Sequence, residues 1–176
     1  MPAKLLLRGW MWSNADLRMA LDAYVRCRCI QDGLAKPHPY PARLALDESG
    51  AAYLTGDPSD EELDAHDRWF AASCEHGGYL LSAFLGNITK IAHLRDFLKG
   101  LQGKPGPRFR ILLEEVIYDG THTGDWLPTS ESSALLREVE TVLQSSDILT
   151  DSEKEFFMSM KQLCEASIRT GNPIMF

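Results

Sequence analysis

The chain has 176 residues, 44% hydrophobic and 24% charged, with a formal charge of −7 at neutral pH. That length suffices for one hydrophobic core without staples, and no repeat or low-complexity tract points to a solenoid or a disordered chain. No run approaches the roughly 18 apolar residues of a membrane span, and the acidic balance argues against nucleic acid as a direct ligand, which asks for a basic face.

The pattern of elements predicts an α+β fold, about five or six helices packed on a small, mostly antiparallel sheet, in a single domain spanning 1–176. Residues 4–11 read as a first strand and not as a secretion signal, since Arg8 interrupts the apolar run and no small-residue cleavage site follows. The expected location is the cytoplasm. In "SNADLRMALDAYVRCRCI", Ser13 and Asp16 have capping-box-like spacing, and Leu17, Leu21, Tyr24 and Val25 form an apolar face at helical period, so a helix closed by Gly33 is predicted. "AKPHPYPA", with prolines at alternate positions, reads as an extended, irregular connector. "RLALDESGAAYL" carries a hairpin signature around Glu48, Ser49 and Gly50.

A helix is then predicted from Pro58 or Ser59 through Leu63, His66, Trp69 and Phe70 to the Gly77-Gly78 pair. His66 falls on or beside its apolar side, where a lone histidine is expected to be a hydrogen-bonded core residue. "YLLSAFL" reads as a strand ending at Gly86-Asn87. "ITKIAHLRDFLKGL" places Ile88, Ile91, Leu94, Leu98 and Leu101 at helical steps, and "QGKPGP" follows as an exposed loop. "RFRILLEEVIYDG" fits either period, with Pro107 at its start and Asp119-Gly120 at its end favouring a helix. "TSESSALLREVETVL" is helical through Leu135, Leu136, Val139, Val142 and Leu143. The last helix opens with a Thr150/Glu153 capping box and is closed by Gly171. "NPIMF" reads as a short apolar strand pairing at the edge of the sheet.

The four cysteines, Cys27, Cys29, Cys74 and Cys164, show no C-x-x-C spacing and are expected to be reduced structural thiols. Cys27 and Cys29, two apart in a predicted helix, point in different directions. "CEH" alone is too short for a zinc site. No metal or other cofactor is expected.

Acidic residues cluster in "GDPSDEELDAHD" and "SSDILTDSEKEF". Carboxylates in the first turns of helices interact favourably with the helix dipole, and the same charge makes a surface that attracts a basic protein. "YDGTHTGDWLP" is the stretch that most resembles a catalytic loop, with Asp119, His122 and Asp125 within seven positions. It also reads as a turn: Gly120 accepts positive φ, Thr121, Thr123 and Asp125 bond nearby backbone N–H groups, and Trp126 and Leu127 drop into the core. Partner binding by the same loop is the third reading, and a small metal-dependent hydrolase using Asp119, His122 and Asp125 is the enzymatic alternative. No nucleophile elbow, P-loop or dinucleotide fingerprint is present.

From about Leu80 to Phe176 the chain resembles the immunity proteins of bacterial polymorphic toxin systems. The resemblance rests on "LLEEVIYDGTHTGDWLP", on "SALLREVETVL" and on the ending "FMSMKQLCEASIRTGNPIMF". It implies a non-enzymatic protein, with no catalytic residue of its own, which binds a cognate toxin and occludes its active site; apart from the resemblance, a non-catalytic adaptor subunit is the other alternative. The negative charge favours a nuclease, whose cleft is basic. The residues expected at the toxin interface are Asp60, Glu61, Asp64, Asp119, His122, Asp125 and Trp126.

Overall fold

A computed structural model describes residues 20–102, 109–117 and 125–176. The predicted strand at 4–11, the start of the predicted first helix with Ser13, Asp16 and Leu17, the "QGKPGP" loop after Gln102 and most of the "DGTHTGD" turn, including Asp119 and His122, lie outside the described residues. The fold is α+β, as the sequence predicts. Its elements are β1 (Ala20–Arg26), β2 (Leu44–Leu46), β3 (Ala52–Leu54), α1 (Asp60–Ser73), β4 (Tyr79–Asn87), α2 (Ile88–Leu101), a π-helical turn (Leu112–Val116), β5 (Trp126–Leu127), α3 (Thr129–Leu143), α4 (Asp151–Thr170) and β6 (Ile174–Met175). No helix among the described residues is long and apolar enough to cross a membrane.

The chain divides into two compact units. Among the described residues, one runs Arg26–Leu80 and the other combines β1 up to Val25 with Leu81–Phe176. The second unit holds the hydrophobic core. Its sheet has the order β4-β1-β6-β5, with β6 antiparallel to both neighbours: Val25 and Leu127 each pair with Ile174. Buried against it are Ile91, Leu94 and Leu98 of α2, Leu135, Val139 and Val142 of α3, and Phe156, Met160 and Leu163 of α4.

Local chemistry explains these helices. Asn87 caps α2 by accepting from the Lys90 N–H, Thr150 and Glu153 form the reciprocal capping box of α4, and Gly171 ends α4 at φ 72°. The helical reading of "RILLEEVI" holds over the described part. The Glu138 carboxylate on α3 accepts from the Ile111 and Leu112 N–H groups at 3.1 and 2.9 Å, satisfying orphan donors at the start of that turn. One buried polar chain crosses the core. Ser132 and Ser167 share a hydrogen bond of 2.8 Å, and the Ser167 hydroxyl donates to the Asn172 carbonyl at 2.6 Å, fixing the exit from α4 into β6.

Two expectations are corrected here. The predicted helix across 13–30 is a strand over Ala20–Arg26: Ala23 and Val25 are buried while Asp22 and Tyr24 are partly exposed. That alternation has period two, and pairing with β6 decides between it and the helical spacing that the same residues also fit. The C-terminal strand pairs inside the sheet and not at its edge, which is why Ile174, Met175 and Phe176 are all buried.

The first unit is built differently. Among its described residues, the buried apolar side chains are Leu54, Trp69 and Cys74. Polar contacts supply the order. The β2–β3 hairpin turns at Gly50 (φ 82°), where the Asp47 carboxylate accepts from the Ser49 hydroxyl and the Ala51 N–H. Arg43 joins the hairpin to α1 through Glu62, which also completes the Ser59 capping box. The proline connector is held on α1 by the Trp69 indole, which donates to the Lys36 carbonyl at 2.6 Å.

His66 has hydrogen-bond partners, as expected, and stands in a relay. The Tyr40 N–H donates to Nδ1 of His38, so the other ring nitrogen, Nε2, carries the proton and donates to Nδ1 of His66 at 3.1 Å. His66 in turn bonds the Ala52 backbone. This arrangement keeps His66 neutral, because a proton on its Nδ1 would face the His38 N–H. Burial, then the neighbouring His38, holds His66 below its ordinary value of 6.5, against the opposing pull of Asp67 and the Ala52 bond.

Two outcomes follow from this construction. Ile174→Ala removes the methyl groups of the central strand and should cost about 2–4 kcal/mol in urea unfolding; a change below about 0.5 kcal/mol would show that β6 is dispensable. An NMR titration should find the His66 midpoint below 6.5. Because that value is depressed, the relay contributes stability fully above pH 6.5 and loses it as pH falls through the folded midpoint. A midpoint at or above the ordinary value would mean that His66 is not held as the acceptor of the His38 N–H.

Candidate metal centre

Four side chains of the first unit converge on one point. The sulfurs of Cys27, Cys29 and Cys74 and a ring nitrogen of His76 all lie within 4.8 Å of one another. Cys27 Sγ is 3.1 Å from Cys29 Sγ, and His76 Nδ1 lies 3.3 Å from the first and 3.6 Å from the second.

Two short segments create this arrangement. Cys27 directly follows β1 and Cys29 opens the turn that comes after it, with the two sulfurs in contact. The expectation that they point apart is corrected: it rested on a helix where the described residues Ala20–Arg26 form a strand. Cys74 is the C-terminal cap of α1, its N–H bonded to the Phe70 carbonyl at 3.0 Å. The chain then reverses through Gly77 and Gly78, at φ 65° and 94°, and presents His76 back towards the cysteines. A side chain at Gly78 would meet the Phe70 ring at 3.0 Å, so both conformation and space require glycine there.

One backbone bond joins the two segments, and one bond from backbone to sulfur tightens the second of them. The Cys27 N–H donates to the Gly78 carbonyl at 2.9 Å, and the Gly78 N–H donates to Cys74 Sγ at 3.4 Å. As thiols the groups crowd one another: burial first, and the Cys29 hydrogen bond second, push the Cys27 thiol up to about 12. A divalent cation inverts that logic, because a coordinating thiol is deprotonated outright.

The donor set is that of a Cys₃His zinc centre. With Zn–S near ~2.3 Å, a tetrahedron places its ligand atoms roughly 3.5–3.8 Å apart, so the observed separations need adjustments of a few tenths of an ångström to about one ångström. Soft thiolates with one imidazole select zinc over hard cations such as magnesium or calcium. Four protein donors fill the tetrahedron, which is the pattern of a structural centre, whereas catalytic zinc sites keep a position open for water. Cys164 is separate, fully buried on α4 with its thiol pushed up to about 12 by burial, a structural thiol as expected.

The residues expected at an interface fall elsewhere. Asp60 and Glu61 are exposed in the first turn of α1, and Asp64 on the next turn is partly buried. Asp125 and Trp126 belong to the other unit. Both are exposed, and the Asp125 carbonyl accepts from the Phe176 N–H at 3.0 Å. Leu127 enters the core as expected, but Trp126 is 37% exposed and does not, because neighbouring positions of a strand face opposite ways. The signal missed in the sequence is the doubled spacing C-x-C and C-x-H, each pair two apart, which neither pair displays alone.

Purified chain should carry about one zinc per molecule by elemental analysis, retained in Cys164→Ser and lost in Cys74→Ser and His76→Ala. Equal metal content in all four proteins would place the ion elsewhere. No family model, curated protein or solved structure matches this chain.

Proposed function

We propose that this chain is a non-catalytic binding protein whose first unit is stapled by zinc, and that it neutralises the toxin domain of a bacterial polymorphic toxin system. The observation that carries the reading is the closed set of four donor atoms within 4.8 Å. A filled tetrahedron leaves no position for substrate or activated water, so the metal serves the fold. The first unit has reason to need it. Among its described residues few apolar side chains are buried, and the binding free energy of a structural zinc ion becomes folding free energy.

The choice of partner rests on the resemblance of 80–176 to immunity proteins and on charge. With −7 overall and exposed carboxylates at Asp60 and Glu61, the chain would be drawn to a basic protein surface. A nuclease cleft is such a surface, and an acidic inhibitor would both associate quickly with it and mimic its phosphate ligand.

The test is co-expression with the toxin domain encoded beside it. Charge reversal at Asp60, Glu61, Asp64, Asp119 and Asp125, singly and together, should slow association, with the combined variant losing growth protection. Full protection across the whole series would dismiss the acidic-surface mechanism, and failure of the unaltered chain to bind any neighbouring toxin would dismiss the immunity role.

A further inference from the structure

The four donors of the centre are not equivalent. Cys74 is buried at the end of α1, and its sulfur already receives the Gly78 N–H. Cys27 and Cys29 are partly exposed, one residue apart, with their sulfurs in contact at 3.1 Å. The exposed His76 ring lies over that same pair. The accessible side of the centre is therefore a preassembled dithiol, and the third thiol is set back from it. Oxidation follows thiolate character and exposure, and a neighbouring thiol within reach resolves the oxidised sulfur as a disulfide. The remaining cysteine, Cys164, is fully buried in the core of the other unit and offers no competing partner.

We propose that the centre is a redox-released zinc site, in which a peroxide couples Cys27 to Cys29 and frees the cation. This rests on the zinc reading above and names its regulation. In the first step one metal-held thiolate attacks a peroxide oxygen. The O–O bond breaks, a sulfenic acid forms, and the departing hydroxide takes a proton to leave as water. In the second step the other thiolate attacks the sulfenyl sulfur, the S–S bond forms, and the hydroxyl leaves as a second water. Two thiolates, one peroxide and two protons thus give one disulfide and two waters. The sulfurs supply both electrons, and zinc keeps its charge throughout. Cys74 and His76 alone make half a tetrahedron, so the ion departs and the tie between the Cys27 and Cys74 segments opens.

Zinc-loaded chain is titrated with hydrogen peroxide while released metal is read with a pyridylazo-resorcinol dye. The expected result is about one zinc freed per chain, a mass loss of two hydrogens, and a Cys27–Cys29 link in peptide mapping. Dithiothreitol with added zinc should restore the starting species, and Cys164→Ser should respond in the same way. Zinc that stays bound at a tenfold excess of peroxide, or a link that runs to Cys74 or Cys164, overturns the redox proposal and leaves the zinc centre standing. A chain that takes up no zinc before peroxide is added overturns both.

Discussion

The hydrogen bond from the Cys27 N–H to the Gly78 carbonyl sets the geometry on which the functional reading depends. It fixes the register between the segment leaving β1 and the glycine turn leaving α1, and each segment contributes two donors. A slip of one residue in either would carry its two donors out of the 4.8 Å cluster. The paired glycines make this possible, since only a residue without Cβ accepts the backbone at Gly78 against the Phe70 ring.

The two units reach their folded states by different physics. One follows the usual rule for a mixed fold: a sheet covered by helices, with aromatic and aliphatic side chains fully buried and a short serine–asparagine chain satisfied inside. In the other, the described residues from Arg26 to Leu80 bury few apolar side chains and are joined by directional contacts. The histidine relay, the Arg43–Glu62 pair and the cysteine–histidine cluster each join segments distant in sequence. Directional contacts depend on protonation and ligand state in a way that hydrophobic burial does not, which makes this the chemically responsive part of the chain.

In the function proposed above, a metal with four protein ligands would contribute rigidity, and rigidity lowers the entropic cost of presenting a surface to a partner. The first turn of α1 divides its carboxylates: Glu62 turns inward to Arg43 and to its own helix start, while Asp60 and Glu61 face water.

The amino-acid sequence by itself determined the elements whose signals are local. Caps, glycines and helical spacing placed α1 through α4 and the β2–β3 hairpin, because those choices are made within a few residues of one another. Tertiary structure alone decided β1, where Tyr24 and Val25 fit two periods and pairing with β6 selects one. It also moved the C-terminal strand from the edge to the interior of its sheet. The metal centre belongs to this second class. Its ligands come from two segments that no local rule connects, so the site exists only once a strand and a helix end are brought together in space.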